Sequence, residues 1–199
     1  MKKKFLIAIL SFFLSFYSYS SEKEEIKTLA SQGAIKQSLL RYRAYCSKTG
    51  AHDPALLRTI FLSFLNYPGS KPGYAIRKSA MGILLKEVLQ GKLKKEECIS
   101  LFKERLSSSD LGVKMTAVEG LILLGYENKE LIPVLKEALY KGDVVLSLDA
   151  ALCLANLKIP ETFSLLEEAF HSSNPFVAIA AVKGIKKYGG KRAEKILLE

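Results

Sequence analysis

The chain has no tryptophan, only two histidines and only three cysteines among 199 residues. His52 and His171 cannot build a histidine-rich metal centre, and neither has a partner at a diagnostic spacing, so the inventory argues against a zinc enzyme. His52, next to Asp53-Pro54, reads as a turn residue beside a helix start, and His171 as a helix-end residue that the C-terminal dipole favours when protonated. Cys46, Cys98 and Cys153 are too few and too dispersed to staple a miniprotein. Helix axes pack about 8–10 Å apart whereas a disulfide needs Cα atoms within about 7 Å, so free thiols are expected, with Cys153 in the core. Gly-rich phosphate loops, Gly-x-Ser-x-Gly, Cys-x-x-Cys and His-Glu-x-x-His are all missing. These are the motifs with a mechanical reading, so the residues ask for no catalytic group, no cofactor and no metal, and a non-enzymatic protein is expected.

What is there is an ordinary globular balance. Apolar residues make up 49% and charged residues 25%, far from the composition of a disordered chain. Lys2, Lys3 and Lys4 precede an apolar run over residues 5–17, and Ser18-Tyr19-Ser20 offers small residues for cleavage after Ser20. As a helix that run reaches about 20 Å against a hydrocarbon core of about 30 Å, which suits a secretory signal better than a membrane span. The expectation is a signal peptide over residues 1–20 and export to the periplasm or envelope of a bacterium, with an N-terminal membrane anchor as the alternative. No cysteine follows the run to carry a lipid. The full chain has 30 basic against 20 acidic side chains, and without residues 1–20 it keeps 27 basic groups and a charge of +7.

From Ser21 onward the apolar positions follow the helical period and no long stretch alternates as a strand would, so an all-α fold is expected over residues 21–199 as a single domain. Superposing Ala80, Ala117, Ala150 and Ala181, at spacings of 37, 33 and 31 residues, aligns four segments. In the clearest copy Val113, Thr116, Ala117, Gly120, Leu121 and Leu124 form one continuous helical stripe whose small members admit a neighbouring helix closely. Asp110, Asp143 and Asn174 stand where N-caps belong, and Gly73 takes that place in the earliest copy. A second amphipathic helix follows each first one, over residues 94–107, 128–140 and 161–171. One helix pair per 31–37 residues, unable to bury its apolar face alone, predicts four to five antiparallel pairs stacked as an α-solenoid. Residues 21–72 read as a divergent first pair, a long helix over residues 23–46 and another over 54–65, followed by a Pro- and Gly-rich linker over 66–73.

The segment Asp110-Leu-Gly-Val113-Lys114-Met-Thr-Ala117-Val-Glu-Gly120-Leu121 resembles the first helix of the HEAT repeat, in particular the bacterial HEAT-like group that also occurs in phycobilisome lyases. Ile76-Arg77 keeps that group's basic residue, whereas the copies at Asp143 and Asn174 lose it. The resemblance covers residues 73–199 and implies a right-handed superhelix with an Asp–Arg ladder between repeats, here interrupted. It also implies that the protein binds partners rather than transforms them.

Charge is uneven: residues 36–86 hold nine basic groups and one acidic group, residues 88–175 hold 10 and 13, and residues 176–199 hold six and two. Basic ends of this kind attract anionic lipid surfaces, acidic proteins or polyanions. The expected function is that of an exported scaffold binding another protein or envelope component through its concave second-helix surface or its basic ends. The candidate contacts are Lys95, Lys103, Lys129, Lys136, Tyr140 and Glu168. A HEAT-like nucleic-acid-binding or DNA-repair protein is the alternative, opposed by the acidic helix at residues 161–171. A lyase or chaperone for a tetrapyrrole-bearing protein is a third. Asp149 shares the stripe position of Ser79, Thr116 and Ala180. A carboxylate there needs a partner, expected to be backbone amides at the start of an adjacent helix.

Overall fold

A computed structural model describes residues 20–69, 71–91 and 93–198. Residues 1–19, which hold most of the expected signal peptide, lie outside the described residues. Among those described the chain is all-α, with no strand and no helix long and apolar enough to cross a membrane. Contacts divide it into two compact units, Met1–Tyr67 and Pro68–Glu199, and the division falls within the Pro- and Gly-rich linker.

The first unit contains α1 (residues 20–31), α2 (Ile35–Thr49) and α3 (Pro54–Leu65). The single helix expected over residues 23–46 is two helices. Gly33 takes a left-handed φ of 74°, and Ala34 donates to the Leu29 carbonyl, which closes α1 and turns the chain. Only one residue carries the turn, and the apolar pattern runs through it with little disturbance. Asp53 caps α3 by accepting from the Leu56 amide at 2.9 Å, and it pairs with Lys23 of α1 at 2.8 Å. Both contacts, Lys23 first, hold its carboxyl below the usual range. Tyr42 donates to the Asp53 carbonyl at 3.0 Å and meets His52 edge to face, which gives that histidine its structural place.

The second unit contains α4 (Lys71–Leu89), α5 (Lys95–Lys103), α6 (Leu111–Leu123), α7 (Ile132–Lys141), α8 (Val144–Leu157), α9 (Pro160–Phe170), α10 (Pro175–Tyr188) and α11 (Lys191–Leu197). A 3-10 turn, Lys129–Leu131, leads into α7. Helix α4 begins inside the expected linker, because proline is tolerated in a first helical turn. Gly73 therefore lies within α4 and is not its cap. It is glycine because the chain doubles back there: a Cβ would stand 2.2 Å from the Pro68 carbonyl oxygen.

The even helices touch in succession, α4 with α6, α6 with α8 and α8 with α10. Helices α5, α7 and α9 each contact the even helices before and after them, and α11 rests on α10. The superposed alanines 80, 117, 150 and 181 are all buried in this row. Its helices start as the caps require: Asp110, Asp143 and Asn174 accept from the amides of Val113, Leu146 and Phe176 at 3.0, 2.9 and 3.0 Å. Gly120 and Gly184, equivalent in the repeat, are spaces for odd-helix side chains. A Cβ would lie 2.6 Å from the Phe102 ring at Gly120 and 2.6 Å from Leu166 at Gly184. Cys153 fills the same position in α8 and is buried, and burial pushes its thiol up to about 12. All three cysteines are free thiols.

Arg77 of α4 is completely buried. Its Nε donates to Thr116 Oγ1 of α6 at 3.2 Å and one Nη donates to the Gly69 carbonyl at 3.1 Å. Burial pulls its pKa down, and the Asp110 carboxylate opposes that shift. Gly112 makes room for this guanidinium, since a Cβ there would sit 2.5 Å from Nη2.

Candidate functional site

Two clusters of polar side chains are built on the second unit, one on the odd helices and one on the even helices. On the odd side, Pro133, Lys136, Glu137, Tyr140 and Lys141 recur at helical spacing along α7, so they share one face. With Glu168 of α9 they line a cavity of about 520 Å³. Behind this face Leu135, Ala138 and Leu139 are buried, which fixes the rotation of α7 and turns the polar set outward.

Within the cavity Lys136 Nζ lies 4.0 Å from a Glu168 carboxylate oxygen. Glu137 is drawn instead toward α6, where Lys114 donates to it at 2.8 Å and holds its carboxyl below the ordinary value. Tyr140 is half-buried and its hydroxyl is fully covered, with no well-formed hydrogen bond to a described residue and the Glu168 carboxylate as its charged neighbour. Burial first, and then the Glu168 carboxylate, push the phenol up to about 12, so it is a neutral donor at physiological pH. A hydroxyl so covered carries a desolvation cost of about 1–3 kcal/mol in the free protein and is closed to a ligand, whereas Lys136, Lys141 and Glu168 are exposed.

The remaining candidates extend the same side. Lys103 lies 4.2 Å from the centre of the Tyr126 ring and 3.8 Å from Glu130, and hydrogen bonding raises its pKa. Lys129 pairs with Glu161, whose pKa it lowers, and Arg192 of α11 pairs with Glu167. Each pair joins one odd element to the next, so the side is a ladder of opposite charges. Lys95 is exposed and forms no ion pair with a described residue. The structure therefore gathers Lys136, Tyr140 and Glu168 into one groove and sets Lys103, Lys129 and Lys95 beyond it. The sequence reading missed Pro133, Glu137 and Lys141, although their spacing from Lys136 and Tyr140 was available as the signal.

On the even side, Lys78 of α4 pairs with Glu119 of α6 and, at 3.3 Å, with Asp149 of α8. The partner of Asp149 is thus a lysine side chain and not the expected backbone amides. That lysine lies 71 positions earlier in the chain, a distance that no local pattern reveals. The Lys78 ammonium also lies 5.1 Å from the centre of the Tyr74 ring, and burial followed by the Asp149 carboxylate raises the Tyr74 pKa. This cluster is closed on itself, and it ties three successive even helices together. His171 ends α9 and meets Phe170 edge to face. Among the described residues no group of histidine, cysteine and carboxylate side chains can hold a metal ion.

No protein-family model matches the chain, and no curated protein matches it.

Proposed function

We propose that the second unit is a HEAT-like α-solenoid with a right-handed superhelix, and that the protein is a non-enzymatic scaffold binding a segment of another protein in the groove between α7 and α9. The succession of even helices, the recurring caps and the buried alanine stripe support the solenoid. Arg77 beside Asp110 of the next copy supports the HEAT-like reading, because it is one rung of that group's Asp–Arg contact.

The observation that carries the binding role is the cavity of about 520 Å³, walled by Pro133 and Tyr140 and rimmed by the exposed Lys136, Lys141 and Glu168. Such a groove suits an apolar side chain flanked by a hydrogen-bonding group. The charge ladder disfavours nucleic acid, because Lys103, Lys129 and Lys136 each already face a carboxylate and offer a phosphate backbone little free positive charge.

The test is selection of peptides from a displayed random library on the full chain. The expected result is an enriched sequence whose binding falls on the order of tenfold with Lys136→Glu, which sets a second negative charge beside Glu168 at the groove rim. No enrichment, or enriched peptides indifferent to Lys136→Glu, would overturn the reading. We further propose export, with residues 1–20 as the signal. The intact mass of the protein from separated cell fractions checks it: a chain beginning near Ser21 supports export, full-length protein in the membrane fraction supports an anchor, and full-length soluble cytoplasmic protein contradicts both.

A further inference from the structure

The outward side of α10 combines exposed apolar groups with lysines. Its inward side is fixed by Val177, Ala180, Ala181, Gly184 and Ile185, all buried. The opposite side exposes Phe176 at 57%, Ile179 at 56% and Val182 at 36%, a cluster of large apolar groups open to water. Lys183, Lys186 and Lys187 continue that side into the last turns of the helix, all exposed. None of the three forms an ion pair with a described residue. An apolar half followed by an unneutralised basic half, on one side of one helix, is the composition of a helix lying in a lipid interface: ring and branched side chains enter the acyl boundary while lysines reach anionic headgroups.

We propose that this side of α10 docks the protein on an anionic bilayer surface, with Phe176 and Ile179 inserted and Lys183, Lys186 and Lys187 at the headgroups. Charge complementarity selects the anionic bilayer over a neutral one. The apolar cluster selects a bilayer over a nucleic acid, whose phosphates offer nothing to Phe176 and Ile179. The proposal does not depend on the groove between α7 and α9, which lies on other helices.

The absence of tryptophan makes the test site-specific. Phe176→Trp in the full chain places a single indole on the patch. Vesicles of phosphatidylglycerol mixed with phosphatidylcholine should shift its emission to the blue, and brominated lipid should quench it. Vesicles of phosphatidylcholine alone should do much less. In that background Lys183→Glu, Lys186→Glu and Lys187→Glu together should weaken partitioning on the order of a hundredfold, at about fivefold per lysine near an anionic surface. Vesicles that pellet the protein while the indole emission stays fixed would overturn the proposal, because binding would then run through another part of the chain. A blue shift produced by duplex DNA and not by vesicles, or by raised protein concentration alone, would also overturn it, in favour of a nucleic acid or a second copy. Circular dichroism of the charge variant guards against unfolding. If its helicity falls, Lys186→Glu alone, at an exposed position, replaces it, with about a fivefold loss expected and an unchanged partition contradicting the proposal.

Discussion

The odd-helix side of the second unit and the outward side of α10 both carry lysines, but the lysines keep different company. Lys103, Lys129 and Lys136 each stand against a carboxylate of the next element, and the groove among them is walled by proline, tyrosine and lysine stems. Lys183, Lys186 and Lys187 pair with no carboxylate among the described residues, and their neighbours on the surface are Phe176, Ile179 and Val182. A lysine facing a carboxylate presents little net charge, so such a surface suits a ligand held by shape and hydrogen bonds. An unpaired one keeps its field, and with exposed apolar groups beside it the surface suits an extended anionic plane. The same residue type therefore means different things on the two sides, and net charge alone does not separate them.

Both surfaces depend on the even-helix row beneath them. Ala117→Asp places an unpaired charge at a fully packed position and should cost about 3–5 kcal/mol, enough to melt the row and abolish both surfaces together. A thermal melt of the variant checks this, and a melt matching the parent's would show that the stripe is not core. Next in size, Lys183→Glu, Lys186→Glu and Lys187→Glu together should reduce vesicle partition on the order of a hundredfold and leave peptide capture by the groove unchanged. Lys136→Glu should do the reverse, lowering peptide capture on the order of tenfold, while stability moves by at most about 1 kcal/mol because the pair with Glu168 is exposed. Loss of vesicle binding on Lys136→Glu would merge the two surfaces into one.

Tyr140→Phe removes a covered hydroxyl that has no well-formed hydrogen bond to a described residue, so it should raise the stability of the free protein by about 1 kcal/mol. A chemical denaturation curve for each protein gives the sign. If the variant is destabilised, the hydroxyl has a partner in solution, the Glu168 carboxylate being its neighbour.

The smallest effect concerns pH. The Lys114 ammonium depresses the Glu137 carboxyl, so the stability it contributes is present above the ordinary glutamate range and is lost as pH falls through the lowered folded value. Glu137→Gln should flatten that acid limb, read by thermal melts across the acid range.

Much of the even row was legible in the sequence because its determinants are local. A short acceptor before each helix and a small residue at each close approach leave a mark every 31–37 positions, and Asp110, Asp143, Asn174, Ala117 and Gly120 all do what that pattern implies. The misreadings came from single residues that act against a continuing pattern. Gly33 ends α1 although the apolar period runs on, and Pro72-Gly73 reads as a break although the first turn of α4 accommodates both. The site was half legible. Lys136, Tyr140 and Glu168 were picked from helical position, but whether a lysine is paired depends on another helix, as Lys78 with Asp149 shows. The Phe176–Ile179–Val182 side of α10 belonged to an unremarked repeat helix until burial of the opposite side showed which way it faces.

Hydrogen–deuterium exchange on the full chain, recorded with anionic vesicles and then with a library-selected peptide, tests the division of labour most directly. The account predicts that vesicles slow exchange in Pro175–Tyr188 and leave Ile132–Lys141 unchanged, and that the peptide does the opposite. Protection of the same helix by both, or of neither helix by either, would contradict it.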